Sequence, residues 1–553
     1  MDNYAIADQF SLLSKLIDIN GGNSFKSRNF SIAAYNIEKL SFQLKDVHKD
    51  QIPSRSGLGA GTVVKINELL ATGSIQELSE LLATTPVGVV EMLRIKGIGP
   101  KKIHIIWKEM DIESIGELEY ACHENRLTRY KGFGDKTQSK ILESIGFYNQ
   151  SKGLYLFAQL YPIFPSVKNY LEQVFGKNNV LATGDFARQM PIVAALSFVI
   201  NADSATIKTK MQTAHPPEIV SETEEAIVFK LTNGMPLELI NNHKNIYLQQ
   251  LKYSSSEDFF QHIQLKINTD SKFQSENEVF KSAQIPFIPP FLREKLEILE
   301  KKIDFQQIIQ PTDIKGLIHN HSKWSDGMHS IEEMATHLKG NGFEYLVMSD
   351  HSKSAAYANG LSVERILQQH EEIDNLNKKL APFKIFKSIE SDILSDGSLD
   401  YNDEILEKFD LVIASIHSNL SMTEDKAMMR LMNAIENKYT TILGHPTGRL
   451  LLSRAGYPID HKSIIDACKA NHVAIEINAN PHRLDMDWQW VEYAMEQGVI
   501  LSINPDAHNI EGFNDTLYGV LAAQKACLTK DFNLSSFSLK DFENYLRKVK
   551  SSK

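Results

Sequence analysis

Sulfur is scarce in this chain. Its three cysteines, Cys122, Cys468 and Cys527, lie far apart among 553 residues and make no Cys-x-x-Cys pair, which argues against a disulfide scaffold and a thiolate metal site. Any bound metal must therefore be held by nitrogen and oxygen. Long apolar runs are lacking as well: no segment stays apolar for the roughly 18 residues that a bilayer crossing needs. The opening stretch, MDNYAIADQFSLLSKLIDIN, carries acids from Asp2 onward and has no basic lead into an apolar core, so a cytoplasmic protein is expected. Nor is there a positive excess. With 59 basic and 69 acidic residues the net charge is -10, so the whole surface cannot act as a polyanion trap and a nucleic-acid partner needs local patches. No low-complexity tract is present, and the length exceeds the roughly 250 to 300 residues of a single core, which implies several domains.

Local basic patches do exist. Residues 94–108 hold Arg94, Lys96, Lys101, Lys102 and Lys108 with no acid, and residues 126–140 hold Arg126, Arg129, Lys131, Lys136 and Lys140 against Asp135 alone. Residues 1–150 read as short helices, from spacings such as Leu12, Leu13, Leu16, Ile17 and Ile66, Leu69, Leu70, broken by glycine pairs. Three Gly-hydrophobic-Gly turns each precede a helix: Gly57-Leu58-Gly59, Gly97-Ile98-Gly99 and Gly132-Phe133-Gly134. Such turns expose backbone N–H groups at a helix start, where a phosphate can sit without base contacts, and Lys101, Lys102 and Lys136 stand beside them. They resemble helix-hairpin-helix motifs, and the resemblance implies DNA binding.

From about 151 to 300, helix (Val167 to Phe175) mixes with β-rich runs (Ile192 to Ile200, Ala226 to Leu231), closing on the proline cluster IPFIPPFLRE. From Asp313 onward strand and helix signals alternate. Strands are expected near 315–319, 344–349, 384–390, 409–416, 440–444, 473–478 and 499–504, with helices over 361–380, 424–437, 460–471 and 487–497. Repeated βα units imply a parallel sheet closed as a barrel.

Twelve of the 18 histidines fall after residue 313. Six of them sit where expected strands run out, the end at which βα barrels place their active sites: His319, His321, His351, His417, His445 and His508. Asp326, Glu390 and Asp506 occupy the same ends. The His-x-His spacing of His319 and His321 puts two imidazoles on one side of an extended strand. Nine such groups converging on one rim without a cation would bury unpaired acids and polar rings at large cost. His329, His337, His370, His461 and His472 lie away from strand ends and read as surface residues.

The motifs HNHSKWSDG, SDHS, SIHS, GHPTGR, EINANPHRLD and NPDAH, with the Glu390 strand, resemble the PHP (polymerase and histidinol phosphatase) family over about 240 residues, all nine of its ligand positions being filled. That resemblance implies a distorted (β/α)7 barrel. It also implies a first ion on His319, His321, Glu390 and Asp506, a second on Glu390, His417 and His445, and a third on Asp326, His351 and His508, with Glu390 bridging. Two or three divalent ions so placed acidify water and clamp the oxygens of a displacement at phosphorus, which makes Glu390 and Asp506 catalytic candidates. The ligand set suits Mn2+ or Zn2+, with Fe2+ also open. Arg449 and Arg483 follow the ligand loops, where each reads either as a bidentate phosphate grip or as a salt bridge near the rim. Lys353 is a weaker candidate of the same kind.

The order of parts resembles the bacterial family X DNA polymerases. It implies an amino-terminal helical DNA-end-binding domain (1–80), a fingers-like helix-hairpin-helix domain (81–150), a palm (151–245), a thumb-like domain (246–300) and the PHP domain (313–553). The departure lies in the palm, which in that family holds Mg2+ on three carboxylates. The matching positions here are Ala195, Ser197 and Glu238, and no Asp or Glu occurs between Gln189 and Ala202. The usual double arginine reads Ala187-Arg188, Ser254-Ser255-Ser256 stands where that family grips the nucleotide, and Asp185 lies at its Gly-Ser position. The expectation is a DNA-binding, metal-dependent 3′–5′ exonuclease acting on gapped or broken ends in repair, with polymerase activity lost. A gap-filling polymerase, a small-molecule phosphatase and a non-catalytic DNA-binding scaffold remain the alternatives.

Overall fold

The computed structural model describes residues 1, 3–38, 40, 42–52, 58–150, 153–212, 216–231, 234–242 and 245–553. Its contacts fall into two compact units, Met1–Cys122 with Leu127–Tyr148, and His123–Arg126 with Asn149–Lys553. Among the described residues no helix is long and apolar enough to cross a membrane.

The first unit is helical. Its main helices are α1 (Asn3–Ile19), α2 (Ser24–Glu38), α3 (Ala60–Thr72), α4 (Gln76–Thr84), α5 (Pro100–Lys108), α6 (Ile115–His123) and α7 (Asp135–Gln150). The helical period explains the packing: Ile6, Phe10, Leu13 and Ile17 recur at three- and four-residue steps on α1 and are buried with Ile66 and Leu69 of α3 and Ile103 and Ile106 of α5.

In the second unit, strands β1 (Val180–Thr183), β2 (Leu196–Ile200), β3 (Glu218–Glu222), β4 (Ala226–Lys230) and β5 (Pro236–Asn241) form a sheet in the order β1-β2-β5-β4-β3. Only the β2–β5 pair is parallel, and its register sets Ser197 opposite Glu238. Helices α8 (Phe164–Phe175) and α9 (Ile246–Tyr253) pack beside β1.

The barrel follows as β6 (Gly316–Leu317), β7 (Tyr345–Met348), β8 (Lys384–Asp392), β9 (Leu411–Ser415), β10 (Thr440–Leu443), β11 (Ala474–Asn478) and β12 (Leu501–Asn504), all parallel and neighbours in chain order. A parallel bridge from Asn320 to Ala507, with the His321 N–H donating to the Ala507 carbonyl at 2.9 Å, brings the first and last strands together and nearly closes the ring. The intervening helices include α10 (Ile331–Gly340), α11 (Val363–Leu380), α12 (Glu424–Glu436), α13 (His461–Ala470), α14 (Trp488–Glu496) and α15 (Thr516–Gln524). Strand alternation divides two layers. On β8, Ile385 and Ile389 join the core shared with the helices, whereas Phe386 packs inward with Tyr345, Ile413 and Ile442. The carboxyl-terminal helix α16 (Leu539–Ser552) plugs the end where the strands begin: Phe542 stacks on Tyr345 at 4.6 Å between centroids and meets Phe386 edge-on at 4.9 Å. The opposite end stays open to polar groups.

One lysine binds the surroundings of the five-stranded sheet to the barrel. Lys525, just past α15, has a fully buried side chain whose ammonium donates to the carbonyls of Arg188 (2.7 Å) and Phe291 (3.4 Å) and pairs with Glu294 at 3.3 Å. Burial pushes its pKa down to about 8 against the pull of Glu294.

Candidate metal centre

Every residue of the nine-member set lies at the open end, where the alternation of the strands delivers it. Glu390 continues the inward row of Phe386 and Ser388 on β8, and His319, His351, His417, His445 and Asp506 stand just beyond the ends of their strands. His319 and Asp506 have positive φ, +65° and +54°, a left-handed backbone that costs non-glycine residues on the order of 1 to 3 kcal/mol and that recurs where geometry serves a site. Gly327 allows the turn that carries Asp326: a Cβ there would lie 2.1 Å from the His321 carbonyl oxygen.

Glu390 is the centre of the cluster. Its Oε1 lies 3.2 Å from His319 Nε2, 3.1 Å from His417 Nε2 and 3.0 Å from His445 Nε2, and its Oε2 lies 2.9 Å from His351 Nδ1 and 3.7 Å from His321 Nε2. Asp506 Oδ1 is 3.1 Å from His321 Nε2 and 3.5 Å from His319 Nε2. Asp326 faces His351 Nε2 at 3.6 Å and His508 Nε2 at 3.5 Å. Donor atoms within 4.8 Å of one another form overlapping groups: His319, His321 and Asp506; His351, Glu390 and His417; and His321, Asp326, His351 and His508. Thus His321 and His351 each belong to two groups.

The donor set fits divalent cations. His319 Nε2, Glu390 Oε2 and His508 Nε2 are buried without a hydrogen-bond partner, which is costly unless a cation receives them. Burial raises the Glu390 carboxyl, but the charges of His417, His319 and His351 overcome it and hold the group well below the usual carboxylate range. Asp506 is likewise raised by burial and drawn well below its ordinary value by His319 and His321. Burial lowers His417, yet Glu390 and Asp392 push it up to about 10. Against the same lowering by burial, Asp326 and Glu390 bring His351 to about 9. For His321, burial and the neighbouring His508 and His351 win, taking it to about 4. The ring nitrogens and carboxylates compete here for too few protons.

Three carboxylates behind the ligands carry no signal in the single-residue reading of the sequence. Glu476, fully buried on β11, accepts from His319 Nδ1 at 2.6 Å, and Asp392 accepts from His417 Nδ1 at 2.5 Å. Asp350 accepts from the Ser322 and Ser325 N–H groups, both their hydroxyls and Gln369 Nε2, at 2.5–3.0 Å, and so shapes the loop that presents Asp326. Their one sequence signal is positional: Asp392 is two residues beyond Glu390 on β8, hence on the same face.

The two arginines differ. Arg449 is committed to protein partners, its guanidinium pairing with Asp487 and donating to the carbonyls of Arg483 and Leu484. Arg483 is buried, with Nε 3.9 Å from Asp506 Oδ2. Lys353 is exposed, its ammonium 5.2 Å from the Tyr401 ring. One sequence expectation is corrected: His370 is not a surface residue but is buried on α11 against the edge of Phe409, and burial takes its pKa down to about 4. A neutral ring suits that apolar setting. Among the other four, His337 and His472 are exposed, and His329 and His461 half-buried.

At the positions expected for a palm, Ser197 Oγ donates to Glu238 Oε2 at 2.7 Å, and Asp185 pairs with Arg188 at 2.8 Å. Arg188 also faces Glu294 at 3.5 Å, and Ala195 brings no polar side-chain atom. Glu238 is therefore the lone acid of the three aligned positions.

In the helical unit, Gly97 and Gly132 adopt φ of +90° and +94°, and Gly99 and Gly134 accept the first helical hydrogen bonds of α5 and α7. Gly59 does the same for α3, whereas Gly57 lies outside the described residues. Among the described residues, no atom beyond the chain neighbours stands within 4 Å of where a Cβ would sit at Gly59, Gly97, Gly99, Gly132 or Gly134, so each turn has room for close approach. Lys101 and Lys136 are exposed and Lys102 half-buried beside them.

Comparison with known proteins agrees with this layout. Residues 1–75 match a helix-hairpin-helix domain and residues 89–146 a SAM-like helix-hairpin-helix tandem. The DNA polymerase/3′-5′ exonuclease PolX of Bacillus subtilis is 34% identical over 555 aligned positions, covering 96% of this chain and 97% of that protein. Probable phosphatases of Thermoanaerobacter sp. and Acetivibrio thermocellus are 27% and 26% identical over 246 positions, which cover 42% of this chain but 94% and 95% of theirs. The chain belongs to the bacterial family X DNA polymerases, with tandem helix-hairpin-helix domains ahead of a palm-like sheet and a PHP-type barrel.

Proposed function

We propose that this chain is a DNA-binding, metal-dependent phosphoesterase that removes nucleotides from 3′ DNA ends during repair, and that its palm no longer transfers nucleotides. The observation that carries the reading is the convergence of six imidazoles with Asp326, Glu390 and Asp506 at one end of the barrel, five of the imidazoles lying around Glu390 itself. Divalent cations, Mn2+ or Zn2+ with Fe2+ also suited to the donors, lower the pKa of water and stabilise charge developing at phosphorus. His319, His321, Glu390 and Asp506 form the first cation position, Glu390, His417 and His445 the second, and Asp326, His351 and His508 the third. Arg483, buried beside Asp506, orients a phosphate oxygen at the rim, whereas Arg449 holds the loop that carries Arg483. The open glycine turns with Lys101, Lys102 and Lys136 grip the duplex by its phosphates without reading sequence.

Loss of nucleotide transfer is supported by the Ser197–Glu238 hydrogen bond and the Asp185–Arg188 pair, which leave no cluster of acids for Mg2+. A second reading, a phosphatase of small phosphorylated metabolites, draws on the phosphatases whose likeness covers 42% of this chain. The deciding experiment follows a 5′-labelled single strand with Mn2+, alone and with excess phosphorylated metabolite. Mononucleotide release that falls at least 100-fold in His319→Ala and Glu390→Ala, without inhibition by the metabolite, is the expected result. Undiminished release in both variants, or primer extension by the wild type on gapped DNA with dNTPs and Mg2+, refutes the corresponding half of the proposal.

A further inference from the structure

The six ligating imidazoles are not supported alike. His319 and His417 are each held between two carboxylates: Nδ1 donates to Glu476 (2.6 Å) or Asp392 (2.5 Å), and Nε2 faces Glu390 (3.2 and 3.1 Å). Among the described residues, no other ring of the set has a carboxylate behind it that is not itself one of the nine. His508 Nδ1 meets only the Asp506 carbonyl, at 3.0 Å, and His321 Nδ1 and His445 Nδ1 are buried without a hydrogen-bond partner. His351 turns both nitrogens toward carboxylates that are themselves ligands, Glu390 and Asp326.

Glu476 reaches further than one ring. Its Oε2 also accepts from Asn504 Nδ2 at 2.7 Å, and its Oε1 accepts from the His445 N–H at 3.1 Å and from Asn478 Nδ2 at 2.9 Å. Asn478 Nδ2 in turn donates to Asp506 Oδ2 at 3.0 Å. One buried carboxylate thus fixes His319, His445 and Asp506 together. Asp392 is itself pinned by Ser354 Oγ at 2.6 Å and by its own N–H donating to Ser352 Oγ at 2.9 Å.

A carboxylate behind a ligating imidazole fixes the tautomer, aims the free lone pair at the cation and raises the basicity of the ring. Charge works in the same direction. The position on His319 has Glu390 and Asp506 in front and Glu476 behind, and the position on His417 has Glu390 in front and Asp392 behind. The position on Asp326, His351 and His508 has one carboxylate of its own, and the acid behind its His351 ring is Glu390, which the other two positions already share as a ligand. We infer that Glu476 and Asp392 are positioning residues that make two of the three cation positions tightly held and leave the third, on Asp326, His351 and His508, exchangeable. The inference rests on the ligand set of the proposed function and adds a ranking within it. An exchangeable third cation makes turnover respond to free metal concentration while the other two stay in place.

The test uses full-length protein and reads metal content and affinity directly. Protein loaded with Mn2+ is dialysed against metal-scrubbed buffer, its metal is measured by elemental analysis, and Mn2+ is then titrated back by calorimetry. About two ions per chain should survive dialysis and a third should return with a weaker Kd. Asp392→Asn and Glu476→Gln, near-isosteric changes, should each weaken tight binding by about 10- to 100-fold, and Asp326→Asn should abolish only the weak class. Far-UV circular dichroism identifies any variant that fails to fold, and the wild-type titration tests the ranking without variants. Three ions held with equal affinity, or unchanged tight binding in folded Glu476→Gln and Asp392→Asn, overturns the inference while leaving the metal-dependent reading intact. A chain that takes up no cation overturns both.

Discussion

Five imidazoles surround the Glu390 carboxylate, and in metal-stripped protein the protons of His417 and His351 hold the acids together. The sign of the pH dependence follows. His417 and His351, raised to about 10 and 9, carry protons at neutral pH that a cation must displace, so metal loading releases protons and affinity climbs with pH. Because these folded values lie above the ordinary histidine value, their stabilising contribution is fully present below about pH 6.5 and is lost as pH rises through about 9 to 10. Chelator-treated protein should therefore lose thermal stability across that upper window, and metal-loaded protein should not. Proton uptake on Mn2+ addition in weak buffer at pH 7.5, in place of release, would contradict the assignment. The clustered histidines were legible because they stand at strand ends beside turns, a place where a core histidine has no reason to recur. Glu476 and Asp392 were not, since a single strand residue shows its face only once its neighbours' register is known.

Element by element, the barrel read clearly from sequence because each strand is a short apolar run between turn signals and each helix keeps its 3.6-residue stripe. Observed strands such as Lys384–Asp392 and Ala474–Asn478 fall within a residue or two of expectation. Glu218–Glu222 escaped notice: all five of its residues are exposed at a sheet edge, so no buried face imposes an alternation. The plug was equally hidden, since α16 is strongly charged and only its contacts reveal that Phe542 seals the barrel floor against Tyr345 and Phe386. Phe542→Ala should cost about 3 to 5 kcal/mol in urea denaturation. Metal stoichiometry should hold in the fraction that remains folded, because the plug and the cation positions occupy opposite ends of the strands. A loss below about 1 kcal/mol would show that α16 merely covers the floor.

For the molecule as a whole, the order of parts was readable from motifs, but the bond between palm surroundings and barrel was not: in the run AAQKACL, Lys525 looks like an ordinary surface lysine. Its acceptors, the carbonyls of Arg188 and Phe291 and the carboxylate of Glu294, lie more than 230 residues earlier in the chain. An excised barrel, residues 313–553, would strand an ammonium in a hole shaped for partners that are gone. Such a fragment should melt below the barrel transition of the intact chain, and Lys525→Met in the fragment should recover part of the difference. Equal melting of fragment and intact chain would show that the lysine simply swings into water. The region ahead of the barrel is then no spacer awaiting deletion. By lodging one cation of the hydrolase in its own backbone oxygens, it has become a wall that the enzyme next door cannot spare.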